Sequence, residues 1–243
     1  MTDLSQQTLS SLVSSNYRVV PILEKYNLDF CCKGRRTLSD ASNERGIDLM
    51  KIAAELESAL AFDEPGQISF EEMNATQLID DILVPDHDVM KQVMPVIHSH
   101  LERVANKHGN YFPYMKRVFE LFTSVQKDMT KHMEKEERDL FPGIKETEKP
   151  GYEIRPIISS PDYLRALQTE HEQVGTMMFS IRDLTNNYTA PEEACTTFRL
   201  SLAELKEFEN NLHKHIHIEN NILLPKAEKI VDEPKSCCPS TRQ

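Results

Sequence analysis

Two segments of this chain, HMEKEERDLFP at 132–142 and HIHIENNILLP at 215–225, share the pattern His-x3-Glu-x5-Pro with an apolar pair before the proline. They begin 83 positions apart. Each is preceded by a histidine with an acid on both sides, Asp86-His87-Asp88 and Glu170-His171-Glu172, 84 positions apart. Two helix pairs with matching polar marks read as a duplicated helical hairpin, and two hairpins make a four-helix bundle. The expected fold class is all-α. A content of only seven glycines and no tryptophan in 243 residues agrees with it.

Helix starts can be placed along the chain. Asn74 stands where it can cap a first bundle helix running from about Thr76 to Lys107. Prolines suited to a first helical position begin the others near Pro113, Ser160-Pro161 and Ala190-Pro191. Pro85, two residues before His87, is expected to kink the first of the four. This divides the chain into a small helical unit at 1–60, a linker at 61–75, the bundle at 76–231 and a disordered polar tail at 232–243.

The partner classes narrow with charge. A formal net charge of -11 argues against nucleic acid or an anionic membrane surface as the partner. No apolar run approaches the roughly 18 residues needed to cross a bilayer. The N-terminal MTDLSQQTLSSL lacks the basic start of a secretory signal. With five cysteines in no framework spacing, a reduced, cytoplasmic protein is expected.

The polar marks matter because of where they fall. Core positions of a bundle helix alternate by three and four. The first stripe reads Leu83, His87, Met90, Met94, Ile97, Leu101, and the second Phe122, Val125, Met129, His132, Glu136, Leu140. The third is Leu164, Leu167, His171, Val174, Met178, Ile181, and the fourth Leu205, Phe208, Leu212, His215, Glu219, Ile222. Imidazoles and carboxylates in a dry core are costly unless they are paired or bound to metal. One buried histidine is easily satisfied by hydrogen bonds across a bundle; six such residues at duplicated spacing point to metal. Four imidazoles and two carboxylates exceed the needs of one tetrahedral zinc and suit two metals bridged by the carboxylates, with an oxide or hydroxide between them. Iron or manganese is favoured and zinc is not excluded. His213 and His217 lie about 200° around the helix from His215 and are expected on its flank or solvent side. His98, His100 and His108 lack a repeated partner and are expected to pack or be solvated.

Cys31 and Cys32 form a separate candidate thiol site. Adjacent cysteines rarely form a disulfide with each other, and Lys33, Arg35 and Arg36 are expected to favour thiolates. Two small apolar residues in a turn are the plainer alternative. Cys195 is expected to be buried in the apolar rhythm, whereas Cys237 and Cys238 sit in the tail.

KYNLDFCCKGRRTL, followed in order by HMEKEERDLFP, EHEQVG, PEEACTTF and HIHIENNILLP, resembles the bacterial di-iron proteins of iron-sulfur cluster repair, the RIC or YtfE/ScdA type, over nearly the whole chain. The resemblance implies a hemerythrin-like four-helix bundle and a centre of two non-haem iron ions. It places their ligands on His87, His132, Glu136, His171, His215 and Glu219, with the glutamates bridging. It implies repair of clusters damaged by nitric oxide or oxidants through iron donation, iron-sulfur proteins as clients, and a contribution from Cys31 and Cys32. Those two could bind metal, exchange thiols or join a homodimer. The competing activities are a nitric oxide reductase-type enzyme and an oxygen- or nitric oxide-binding sensor. Hemerythrins generally use one more histidine than the four found in the stripes.

Overall fold

The structure, a computed structural model, describes residues 3–61, 70–149 and 160–232. Most of the expected linker, and the tail with Cys237 and Cys238, lie outside those residues. The described residues form helices and turns with no strand; one isolated bridge joins Thr8 to Thr37.

The N-terminal unit consists of α1 (Leu9–Ser15), α2 (Val20–Lys25), α3 (Leu38–Arg45) and α4 (Leu49–Leu60). Short polar residues set its helix starts. Thr8, Thr37 and Asp48 each accept a hydrogen bond from a first-turn backbone N–H, which satisfies donors that the helix cannot. Gly46, at φ 64°, ends α3 in the left-handed region. The loop between α2 and α3 folds back on α1 through Ser10 N–H to Gly34 O and Leu9 N–H to Arg36 O. At Gly34 a Cβ would stand 2.3 Å from the Phe30 carbonyl, so only glycine fits there.

The bundle is built from α6 (Val84–His108), α7 (Tyr114–Lys135), α9 (Pro161–Leu184) and α10 (Thr196–Ile218). Each packs on the next, α6 on α7, α7 on α9, α9 on α10 and α10 back on α6. Three of them extend through a five-residue π-turn into a short helix. α5 (Ala75–Leu78) leads through Ile79–Leu83 into α6, α7 continues through Glu136–Leu140 into α8 (Phe141–Thr147), and α10 continues through Glu219–Leu223 into α11 (Leu224–Asp232). The cause is the proline two residues beyond each turn, at 85, 142 and 225. Proline has no N–H and crowds the carbonyl four residues back. Widening the turn by one residue relieves that crowding: the N–H groups of Val84, Phe141 and Leu224 bond five residues back, to Ile79, Glu136 and Glu219. Pro85 therefore marks the same device as the other two prolines.

The starts of the first three bundle helices fall where the sequence places them. Asn74 forms a reciprocal capping box with Gln77 at the head of α5. The fourth start is corrected: α10 begins at Thr196, not near Pro191. The intervening chain is spent on left-handed residues at 186–188 and a turn in which Ala194 N–H bonds to Pro191 O. Arg199 clasps that turn through the carbonyls of Ala194 and Glu192.

The apolar core comes in two parts. One cluster joins the N-terminal unit to the far half of the bundle, through residues such as Leu101, Phe122, Met178 and Phe208. The other gathers Leu83, Leu140, Phe141, Leu164, Ile222 and Leu223 around the π-turns. The four long helices pass between these clusters in alternating directions. Every one of them crosses the gap at a histidine.

Candidate metal centre

The six residues named by periodicity meet in that gap, and none is more than 1% exposed. They form two groups, His87, Glu136, His215, Glu219 and His132, Glu136, His171, Glu219, with donor atoms within 4.8 Å of one another. Both glutamates belong to both groups. Glu136 spans them, with Oε1 3.0 Å from His132 Nε2 and Oε2 3.4 Å from His87 Nε2. Glu219 Oε2 stands 3.1 Å from His171 Nε2 and 3.4 Å from His215 Nε2.

The outer nitrogens of the four rings follow a cyclic rule. His87 Nδ1 meets Glu137 at 2.8 Å, His132 Nδ1 meets Glu170 at 2.8 Å, and His171 Nδ1 meets the Asn220 side-chain oxygen at 3.0 Å. His215 Nδ1 faces Asp86 at 3.9 Å, beyond a direct bond. Each of these partners is the chain neighbour of a central residue on the next helix of the ring: Glu137 follows Glu136, Glu170 precedes His171, Asn220 follows Glu219 and Asp86 precedes His87. An acceptor at Nδ1 holds the proton there and leaves the Nε2 lone pair facing inward. Lys91 and Lys135 hold Glu137 and Glu170 from outside. Hydrogen bonding from His132 is the largest influence on Glu170, which is held down at about 2. Sequence reasoning noted Asp86 and Glu170 as flanking acids but assigned them no role, and it passed over Glu137 and Asn220. Their signal was adjacency to a striped residue.

These donors fit metal cations. His132 Nε2 and His171 Nε2 lie 2.7 Å apart, and with both outer nitrogens facing acceptors their lone pairs repel unless a positive charge joins them. His87 Nε2, Glu136 Oε2, His215 Nε2 and both Glu219 oxygens are buried without a hydrogen-bond partner. Orphaned buried acceptors of this kind are costly. With protein atoms alone, charge is divided unevenly. Burial works against the His132 cation, yet Glu136 raises it to about 10, while burial pushes His215 down to about 3. Burial also opposes the Glu136 carboxylate, but His132 holds it far below the usual carboxylate range.

The remaining histidines are otherwise engaged. His98 lies against Phe119 and His100 bonds Glu204 at 2.8 Å. His213 bonds Glu24 at 3.2 Å. His217 lies on the buried flank of α10 and not on its solvent side: it is 1% exposed, between Ser14 of the N-terminal unit and Asn221, each at 3.4 Å. The N-terminal unit docks on this face of α10, where it buries His217. Cys195 is half-buried at the head of α10, packed against the apolar core with its sulfur 3.2 Å from His108 Nε2.

The thiol at 31 also departs from expectation. Cys31 is buried, and its thiol is pushed well up by its bond to Cys32, by burial and by Asp29. The basic cluster does not offset this, and Arg36 pairs instead with Glu44. The Cys31 carbonyl accepts from Asn221 at 3.0 Å and from Asn220 at 3.4 Å. Asn220 thereby touches both the thiol loop and His171.

No helix of the described residues is long and apolar enough to cross a membrane. Comparison with known proteins adds the family. A model of the Hemerythrin HHE cation binding domain matches residues 78–227, and the ScdA_N domain, described only as of unknown function, matches residues 5–60. Proteins named iron-sulfur cluster repair protein YtfE, from Yersinia pseudotuberculosis serotype O:1b (strain IP 31758) and Yersinia pestis (strain Pestoides F), are each 31% identical over 225 residues. The match covers 93% of this chain and 98% of each relative. With its buried His and Glu donors in that bundle, the chain belongs to the hemerythrin HHE cation binding family, in the form that carries an ScdA_N domain ahead of the bundle.

Proposed function

We propose that this protein repairs iron-sulfur clusters damaged by nitric oxide or oxidative stress, as a di-iron protein that donates iron to iron-sulfur client proteins. The reading is carried by one observation: Glu136 and Glu219 each belong to both buried donor groups, the arrangement that two cations sharing carboxylates require. The name of the relatives, iron-sulfur cluster repair, supports the process.

In this reading His87 and His215 would hold one iron and His132 and His171 the other, with Glu136 and Glu219 available to both. Bound there, the pair would supply redox-active cations able to bind a small diatomic molecule. The chain does the rest. Glu137, Glu170 and Asn220 fix the tautomers of three ligating rings, so that neutral imidazoles face inward without rearrangement. The apolar clusters on both sides exclude bulk water from the ligands. Imidazole and carboxylate donors can be protonated, so iron held by them is lost more readily than iron held by a porphyrin, and this suits a donor.

The experiment is the double substitution Glu136→Ala with Glu219→Ala. Wild-type protein is expected to hold about two irons per chain, one for each donor group, by elemental analysis and a Mössbauer spectrum. The variant is expected to lose both the iron and the ability to restore a nitric oxide-damaged dehydratase. A variant that restores the dehydratase at the wild-type rate overturns the donor reading.

A further inference from the structure

We propose that Asp29, Cys31 and Cys32 form a second cation site, outside the bundle centre, that takes a thiophilic divalent cation such as ferrous iron or zinc. The three donors lie within 4.8 Å of one another, and none belongs to the His/Glu set. Cys31 Sγ is 3.9 Å from Cys32 Sγ and 3.3 Å from Asp29 Oδ1. Two thiolates bound at about 2.3 Å to a tetrahedral ion stand roughly 3.8 Å apart, and a carboxylate oxygen at about 2.1 Å stands roughly 3.6 Å from each sulfur. Both Cys31 distances are close to that bite, and the third pair lies within 4.8 Å.

The loop is also held in place. Asp29 Oδ1 accepts from the Cys32 backbone N–H at 2.9 Å, and Asn221 fastens the Cys31 carbonyl at 3.0 Å. On the facing helix, α9, stands Gly175, whose Cβ position is 3.8 Å from Cys32 Sγ, so no side chain covers the sulfur from that side. The two cysteines line a cavity of about 310 Å³ shared with His213 and Glu209. Glu209 is 2% exposed, and its Oε1 has no hydrogen-bond partner. The cavity has room for a fourth ligand, a water or an incoming thiolate.

Its bond to Cys32, burial and the adjoining Asp29 keep Cys31 a thiol on its own. A divalent ion changes this, because thiols that bind metal lose their protons to do so.

The probe is Co²⁺, titrated into the full chain with its bundle centre already loaded and followed by sulfur-to-cobalt charge-transfer absorption. The expected result is a saturable thiolate band that Zn²⁺ displaces. The band should be lost in Cys31→Ser with Cys32→Ser and kept in Cys237→Ser with Cys238→Ser. Asp29→Asn keeps the acceptor for the Cys32 N–H and removes the charge, and is expected to weaken Co²⁺ binding at least ~10-fold. Bundle iron content, measured in the same samples, reports folding and the first centre separately. If the double serine variant fails to fold, the Asp29→Asn titration decides. No band, a band carried by Cys237 and Cys238, or an affinity indifferent to Asp29→Asn overturns the proposal.

Discussion

The same four helices, with the same three-and-four spacing, build two unlike layers. In the far half of the bundle Met94, Leu101, Phe122, Met178 and Phe208 close on one another, and Phe122 meets Phe208 edge-on at 5.5 Å. About two to three turns along from these contacts, the equivalent positions are His87, His132, His171 and His215, and atoms of the central residues have no hydrogen-bond partner in the protein. The first layer is complete as protein. Dispersion and apolar burial hold it without help. The second, in the proposed reading, is completed by cations, because several of its buried acceptors find no hydrogen-bond partner in the protein. An ordinary bundle would close this gap with leucine.

That contrast can be tested, beginning with the largest expected effect. Removing metal by chelation should cost at least about 4 kcal/mol of unfolding free energy, the linkage expected at a thousandfold excess over the dissociation constant. Hydrogen exchange should then rise first at 136–140 and 219–223, while amides near Phe122 and Phe208 stay protected. Equal loosening of both layers would break the comparison. Phe122→Ala is the converse test. Loss of this fully buried ring should destabilise by about 3 kcal/mol or somewhat more. Iron content should remain at the wild-type level, and a loss of iron would mean that the layers are not separable.

Asn220→Ala sharpens the picture, because it strips His171 of its outer partner and removes the longer of two side-chain hydrogen bonds to the Cys31 carbonyl. A 10–100-fold drop in metal affinity is expected, about 1.4–2.7 kcal/mol, and competition with a chelator would measure it. The smallest effect concerns His217, a buried histidine beside the centre that protein atoms do satisfy. Burial depresses it to about 4. Its unfolded form takes up a proton near 6.5, so its contribution to stability is full above that pH and is lost as pH falls from about 6.5 towards 4. Urea titrations of wild type and His217→Asn should differ in slope there by no more than about 1.4 kcal/mol per pH unit. Identical slopes would show that His217 is already protonated in the fold.

Much of this was legible in the linear chain because it rests on periodicity. A helix converts spacing of three and four into a face, so His132 and Glu136, or His215 and Glu219, must point together wherever the helix goes. Their repetition 83 residues on made four helices and one polar layer the economical reading. The prolines at 85, 142 and 225 were equally visible, yet only the hydrogen bonds five residues back reveal that each is absorbed by a π-turn.

What only the tertiary structure decided depends on which helix lies beside which. Glu137, Glu170 and Asn220 partner histidines 38 to 50 positions away, across helix contacts that no local pattern encodes. The docking of the N-terminal unit buries His217, and it sets Cys31 and Cys32 in a cavity, where the Cys31 thiol resists ionisation rather than favours it. Local spacing orients a side chain on its own helix. Its solvation and its partners come from surfaces brought together over long sequence distances, and these determine its chemistry.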